Sequence, residues 1–200
     1  VTRLPVEERR AALVDAALRV MVRGGLAAGT TRAIVAEAGM SLASFHYAFA
    51  SRDDLLRELV RGVVGREFDS ATAGMSADDG LAGCLRHAAA GYLAHLEREP
   101  GHEQLMLELT LHALRNPVLR PLAREQYRAY TDAATRVLEQ AAELTGEQWG
   151  RPVPELARLL ITLVDGATTT WLVDRDTAAT RAALDAAVEV FVTRNAARQA

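Results

Sequence analysis

Apolar residues recur along this chain at intervals of three and four, segment after segment. No run shows the strict alternation of a half-buried strand. The pattern predicts an all-α chain of about nine helices. The first starts after Pro5, with Glu7 and Glu8 in its opening turn, where the helix dipole favours acids. Leu13, Ala16, Ala17, Val20 and Met21 form its stripe, and Gly24-Gly25 ends it. Two short helices are expected over 30–38 and 42–48. A fourth runs from about Arg52 to Ser70, with Leu55, Leu56, Leu59, Val63 and Val64 apolar. The small-residue stretch Ala73–Gly80 marks the best boundary, with Ser76 to Asp79 as a capping box. The fifth helix follows to about Glu97, with Leu81, Cys84, Leu85, Ala88, Tyr92 and Leu96 on one face. Pro100-Gly101 breaks the chain before a sixth helix at 102–115. Asn116-Pro117 then starts a seventh, which ends at Gly146. The last two helices are expected at 155–173 and 177–197.

The stretch 29–56, GTTRAIVAEAGMSLASFHYAFASRDDLL, organises the rest. Thr30 or Thr31 can cap the first short helix, since a hydroxyl accepts from a free N–H of the first turn. Gly39 stops it where a left-handed residue is cheapest. Ser41 can cap the second short helix, with Phe45 and Phe49 as buried anchors. Ser51 to Asp54 is a capping box for the helix after. Helix, glycine turn and second helix make a helix-turn-helix unit, whose second helix can enter a major groove.

The runs T-T-R-A-I-V-A-E-A-G-M-S and F-H-Y-A-F-A-S-R-D-D-L-L, in this order and spacing, resemble the amino-terminal DNA-binding domain of the TetR family of transcriptional regulators. The resemblance covers about residues 7–67. The helix count is similar to that family's architecture: a three-helix DNA-binding head (1–66, motif 30–49) and a six-helix ligand-binding and dimerisation body (67–200). The segment QLMLELTLHALRNPVLRPLAREQYRAY and the later Asp165-Gly166 look like the BetI-like branch of carboxy-terminal domains.

Charge agrees with a head and a body. Residues 1–66 carry ten Arg against seven Asp and Glu, so +3; residues 67–200 carry thirteen against nineteen, so −6. A basic head on an acidic body fits a DNA reader joined to a part that does not bind DNA. All 23 basic residues are arginine, which with the Ala, Gly and Val content looks like coding bias. Apolar content of 50% and a mean hydropathy of +0.00 fit a soluble globular chain. Charges interrupt the first 25 residues, so no signal peptide is expected. The longest apolar stretch, Leu159–Val173, contains Asp165 and is short for a bilayer. The single Cys84 excludes an intrachain disulfide and suits a reducing cytoplasm.

The resemblance assigns roles in the head. Thr31 resembles a phosphate contact. Arg32 resembles a base-reading arginine, whose fork reaches guanine O6 and N7 together, although a plain phosphate contact is nearly as good a reading. Ser41, Leu42, Ala43 and Ser44 occupy the start of the reading helix; Leu42 and Ala43 can pack on thymine methyl groups. His46 and Tyr47 stand at the usual phosphate-touching aromatic pair. Arg52 stands where the family usually has a lysine, at a helix start that also favours a phosphate. Val35, His46 and Ala48 depart from the usual residues: Val35 crowds the two short helices, and Ala48 removes one contact.

The body carries polar groups on otherwise apolar helices. Tyr92, His95, Glu108, His112, Tyr127, Tyr130, Asp165, Thr169 and Trp171 read as hydrogen-bonding groups of an apolar cavity for a small-molecule effector. The alternative is a wet surface: Gln104, Glu108, His112 and Arg115 also describe a solvated helix face. Catalysis is not expected. The only Glu-x-x-His, Glu99–His102, spans a helix break, and Cys84-x-x-His87 has no partner pair, so neither a di-iron nor a zinc site forms. No phosphate loop or nucleophile elbow occurs, and no cofactor is expected. The helices within Leu156–Val173 and Thr177–Arg194 present broad apolar faces, which the family pairs with their twofold mates. The expectation is a cytoplasmic homodimeric repressor binding a pseudo-palindromic operator and released by a small molecule. The alternative is a helical ligand-binding or scaffold protein without operator recognition.

Overall fold

Local signals explain most of the helix boundaries in the computed structural model, which describes residues 5–77 and 80–197. Asp79 of the expected 76–79 capping box lies outside them. Nine α-helices occur among the described residues: α1 (Val6–Gly24), α2 (Thr31–Glu37), α3 (Leu42–Ala48), α4 (Arg52–Thr72), α5 (Gly80–Arg98), α6 (Pro100–Arg115), α7 (Arg120–Thr145), α8 (Val153–Asp174) and α9 (Thr177–Asn195). No strand is found there; one isolated bridge joins Trp149 and Ala196.

Thr30, not Thr31, caps α2, accepting from Ala33 N–H at 3.2 Å. Gly39 then takes a left-handed φ of 64°. Its N–H bonds to the Ala36 carbonyl and the Met40 N–H to the Val35 carbonyl, at 3.2 and 2.8 Å. This paired closure satisfies two carbonyls that a helix end otherwise leaves open. Ser41 caps α3 through Ser44 N–H at 3.2 Å. Ser51 caps α4 through Asp54 N–H at 3.1 Å, while the Asp54 carboxylate accepts from Ala50 N–H at 3.3 Å.

Two prolines refine the expected boundaries. The break expected at Pro100-Gly101 falls at Glu99, between α5 and α6, and Pro100 itself opens α6, because a first-turn residue has no intrahelical N–H to lose. Asn116 does accept from Val118 N–H at 3.1 Å, but Pro117–Leu119 forms a 3-10 turn before α7 begins at Arg120. A second 3-10 turn, Leu26–Ala28, fills the link between α1 and α2, where only a glycine stop was expected. The apolar stretch expected at 159–173 lies in a longer helix: α8 has 22 residues, enough by length and composition to cross a membrane. Here it is an element of a helical body, with Leu156, Ala157, Thr168 and Trp171 buried.

The described chain forms two compact units. One holds the residues up to Val63 together with Gly101–Tyr127; the other holds Val64–Pro100 with the residues from Arg128 onward. The expected boundary at 66/67 falls close to the Val63/Val64 division, and residues 101–127 group with the first unit through long-range contacts. In the first unit, Glu108 of α6 holds the backbone of Leu26, and Arg57 of α4 pairs with Glu125 of α7 at 2.8 Å. Its core is Leu13, Ala16, Ala17 and Met21 of α1, Ile34 and Val35 of α2, Phe45 of α3, then Phe49, Leu55, Leu56 and Leu59. Gln126 of α7 is buried there and satisfied, donating to the Met106 carbonyl and accepting from Thr110, each at 3.1 Å.

The second unit centres on Leu85, Ala88, Val137, Leu138, Leu156, Ala157, Val188 and Phe191. In it α4 and α5 run antiparallel and touch at Gly91, where a Cβ would lie 2.1 Å from the Ser70 carbonyl oxygen. Cys84 is buried, its thiol donating to the Ser76 carbonyl.

Candidate nucleic-acid interface and regulatory body

The short helices of the head split cleanly into inward and outward faces. On α3, Phe45 and Ala48 are buried, while Ser41, Leu42, Ala43, His46 and Tyr47 are exposed and Ser44 is half-buried. Leu42 is 44% and Tyr47 57% exposed, high values for apolar and aromatic side chains that have packing available. On α2, Arg32 is exposed and Thr31 half-buried beside it. Thr31, Arg32, Ser41, Leu42 and Ala43 thus stand at the starts of two capped helices, with His46 and Tyr47 exposed in the last turn of α3. Such an array can meet phosphates with N–H and hydroxyl donors, and base edges with the α3 face.

Helix α1 fixes this array. Arg10 donates to the Ala48 carbonyl at the end of α3 and to Glu58 of α4, and its guanidinium lies 4.3 Å from the Phe49 ring centre. The Glu58 hydrogen bond holds Arg10 more firmly protonated than a free arginine. Arg9, nearly buried, sits 5.1 Å from the centre of the Tyr47 ring. A guanidinium over a ring face is attracted by its quadrupole, so Arg9 steadies Tyr47 while leaving it exposed. Neither arginine was singled out from the sequence; their adjacency on a helix start gave no hint of which aromatic each would meet.

Glu37 ties α2 to α1 through two arginines one turn apart. Arg19 Nε–H donates to it at 2.9 Å and Arg23 at 2.5 Å. These hydrogen bonds, first that of Arg23 and then that of Arg19, hold its carboxyl down at about 2. A depressed carboxyl pKa favours the folded head above the ordinary carboxylate range, and the contribution disappears as pH falls toward 2. The expected result is a Glu37 carboxyl resonance that titrates near 2 and moves upward with salt, since the pair is at the surface. A midpoint in the ordinary range would show that the pair does not form in solution.

Arg52, expected as a phosphate contact, has backbone partners within the head. It turns inward: Nε–H donates to the Gly29 carbonyl and one terminal nitrogen to the Leu26 carbonyl, both at 2.7 Å. The Leu26 carbonyl also accepts from Gly29 N–H at 3.3 Å, and the planar fork of Arg52 adds a donor to each of the two carbonyls. Ala48, expected to cost a DNA contact, is 5% exposed and faces the core, so its small size serves packing.

The expected cavity residues are divided between the two compact units. Glu108, His112 and Tyr127 belong to the head's compact unit; Tyr92, Tyr130, Asp165, Thr169 and Trp171 belong to the other. The Glu108 carboxylate is engaged by Leu26 N–H at 2.8 Å, and His112 is exposed. Thr169 is exposed and donates to the Asp165 carbonyl of its own helix, which is a solvent-face arrangement. Trp171 is buried at the α8–α9 corner. Its Nε1–H donates to Thr177, whose hydroxyl donates to Glu97, and Arg175 covers its ring at 4.5 Å. These contacts give Trp171 a structural task. Tyr127 is half-buried, as are Tyr92, Tyr130 and Asp165, and the Tyr92 hydroxyl lies 2.6 Å from that of buried Thr168. Thr168, Glu67 and His95 are buried polar residues that the reading of single helix faces passed over, apart from His95 as one polar group among several. No group of three or more His, Cys, Asp or Glu suited to a metal occurs among the described residues.

Two family models match the chain. Residues 13–59 match the one described as bacterial regulatory proteins, tetR family, and residues 77–194 the one described as Tetracyclin repressor-like, C-terminal domain. The nicotine-responsive transcriptional repressor HdnoR of Paenarthrobacter nicotinovorans is 25% identical over 172 residues, covering 86% of this chain and 88% of that protein. A solved structure from Rhodococcus sp., assigned to the same family, superposes with a TM-score of 0.78 at 21% identity, over 92% of this chain and 98% of its own. The multidrug binding protein EbrR, solved with imidazole, is 30% identical with a TM-score of 0.63, over 88% and 92%. With both its helix-turn-helix head and its helical body matched, the chain belongs to the TetR family of bacterial transcriptional regulators.

Proposed function

We propose that this regulator is a repressor that binds a pseudo-palindromic operator as a homodimer and is released by a small molecule. The observation that carries the reading is the face of α3: Ser41, Leu42, Ala43, His46 and Tyr47 stand outward on a helix fixed by Phe45 and Ala48. One reading helix touches few bases, and a twofold pair of heads makes two half-sites readable together. Exposed apolar side chains on the last two helices support that pairing: Leu159 and Val173 of α8 are 39% and 82% exposed, and Val190 of α9 is 62% exposed. The likeness to a nicotine-responsive repressor and to a protein solved with imidazole supports a small-molecule effector. Such a ligand releases DNA only if it prefers the non-binding conformation, since equal affinity for both shifts nothing.

The test is selection of bound duplexes from a random or genomic pool. The expected winners are pseudo-palindromes, and Arg32→Ala should weaken binding to them by about 1–3 kcal/mol while relaxing preference at one base pair per half-site. Uniform weakening across all sequences would make Arg32 a phosphate contact. A pool that yields no preferred duplex, even at low salt, would sink the operator reading.

A further inference from the structure

We propose that Glu108 is a positioning residue for operator binding: from α6 it holds the turn that leads into α2, and thereby sets how the head presents its reading surface. The inference rests on the operator reading above.

The link between α1 and α2 is short and sharply bent. Gly25 takes a φ of 76°, the 3-10 turn Leu26–Ala28 follows, and Thr30 then caps α2. Leu26 is the centre of this link. Its side chain is 4% exposed, its N–H donates to Glu108 at 2.8 Å, and its carbonyl accepts from Arg52 at 2.7 Å. Arg52 also reaches the Gly29 carbonyl, one residue before the cap of α2. A carboxylate from α6 and a guanidinium from α4 therefore hold the same residue from its two backbone ends. Both bonds are charge-assisted and stronger than neutral ones. The carboxylate also lies close over Gly25, where a Cβ would be 3.2 Å from one of its oxygens and 3.3 Å from the other. The link carries a residue without a side chain at the point where Glu108 approaches.

The bond is not one that α6 needs for itself. Glu108 is an exposed position on a helix whose buried stripe is Leu105, Met106, Leu109 and Ala113. What the carboxylate fixes is a backbone 82 residues earlier, five residues before Thr31 and six before Arg32. Through Glu108 and Arg52, Leu26 is tied both to α6 and to the start of α4.

Full-length Glu108→Ala and Glu108→Gln proteins separate this role from charge. Both remove one negative charge, which by itself tightens binding to any duplex and does so equally in the two. Glutamine keeps an acceptor beside Leu26; alanine does not. Measured on the duplex selected by the wild-type chain, Glu108→Ala should lose affinity by on the order of tenfold. Glu108→Gln should recover most of it, and affinity for unrelated DNA should not fall in either. Amide exchange at Leu26 should quicken in the alanine variant. Equal affinity of wild type and Glu108→Ala for the selected duplex overturns the inference, as does a loss in Glu108→Ala that Glu108→Gln shares fully. A wild-type chain that selects no duplex overturns the operator reading and this inference with it.

Discussion

Phe45→Ala should destabilise the head by about 3–5 kcal/mol, the range for truncating a fully buried aromatic ring. Phe45 is 1% exposed, and its ring lies 5.7 Å from those of Phe49 and His46, tilted against the first and edge-on to the second. The cost is large because α3 has only seven residues, of which Phe45 and Ala48 alone are buried. A helix that short is not stable by itself and keeps its shape only through packing. Loss of the ring leaves Ala48 as its one buried contact with the core. Against a total stability of about 5–15 kcal/mol, that change removes a large share. Urea unfolding should show a lower midpoint, and operator binding should fall with the population of folded heads. Phe45→Leu, which keeps most of the volume, should retain binding. A cost near zero for the alanine variant would mean that α3 is held by something other than its aromatic anchor.

Gly91→Ala sets two physical effects against each other. Helix propensity alone makes alanine the better residue by about 1 kcal/mol. At this crossing, however, a Cβ would stand 2.1 Å from the Ser70 carbonyl oxygen, 2.9 Å from its carbon and 3.2 Å from the Ala71 Cα. These are backbone atoms, so no rotamer change relieves the clash. The helices α4 and α5 must separate, which opens the packing around Ala71, Leu85 and Ala88. Overpacking of this kind costs about 1–3 kcal/mol and more where backbone must move. The expected net result is a loss of about 2 kcal/mol or more in thermal or denaturant unfolding. A gain in stability would show that α4 and α5 do not approach so closely in solution.

The parts of the fold that were legible in the sequence are those settled by neighbours along the chain. Thr30, Ser41 and Ser51 each cap a helix within three residues, and Gly39 closes one within five. A cap carries its own explanation in a few consecutive residues, so reading it needs no tertiary structure. The same holds for the buried anchors Phe45 and Phe49, whose spacing places them on one side. The backbone partners of Arg52 and Glu108, Gly29 and Leu26, lie 23 and 82 residues away and leave no local signal. Nothing near Glu108 distinguishes a carboxylate bound to a distant amide from one facing a cavity or water. Trp171 and Thr169 share a helix and an apolar neighbourhood, yet one closes a corner and the other bonds its own backbone. The partner of Trp171, Thr177, opens α9, whose start Asp176 caps by accepting from Ala179 N–H at 2.9 Å.

Ser41 accepts from the Ser44 amide, and the two hydroxyls lie 3.0 Å apart. That cap draws both serines toward each other at the head of α3 and leaves Leu42 and Ala43 as its most forward side chains. A reading surface made of methyl groups responds to methyl groups, and the one a major groove offers is on C5 of thymine. Methylated cytosine carries the same group at the same position. An operator read in this way would not distinguish the two bases there by contact alone. Part of what the protein reads would then be a chemical mark that can be written onto DNA after replication, without any change in its sequence.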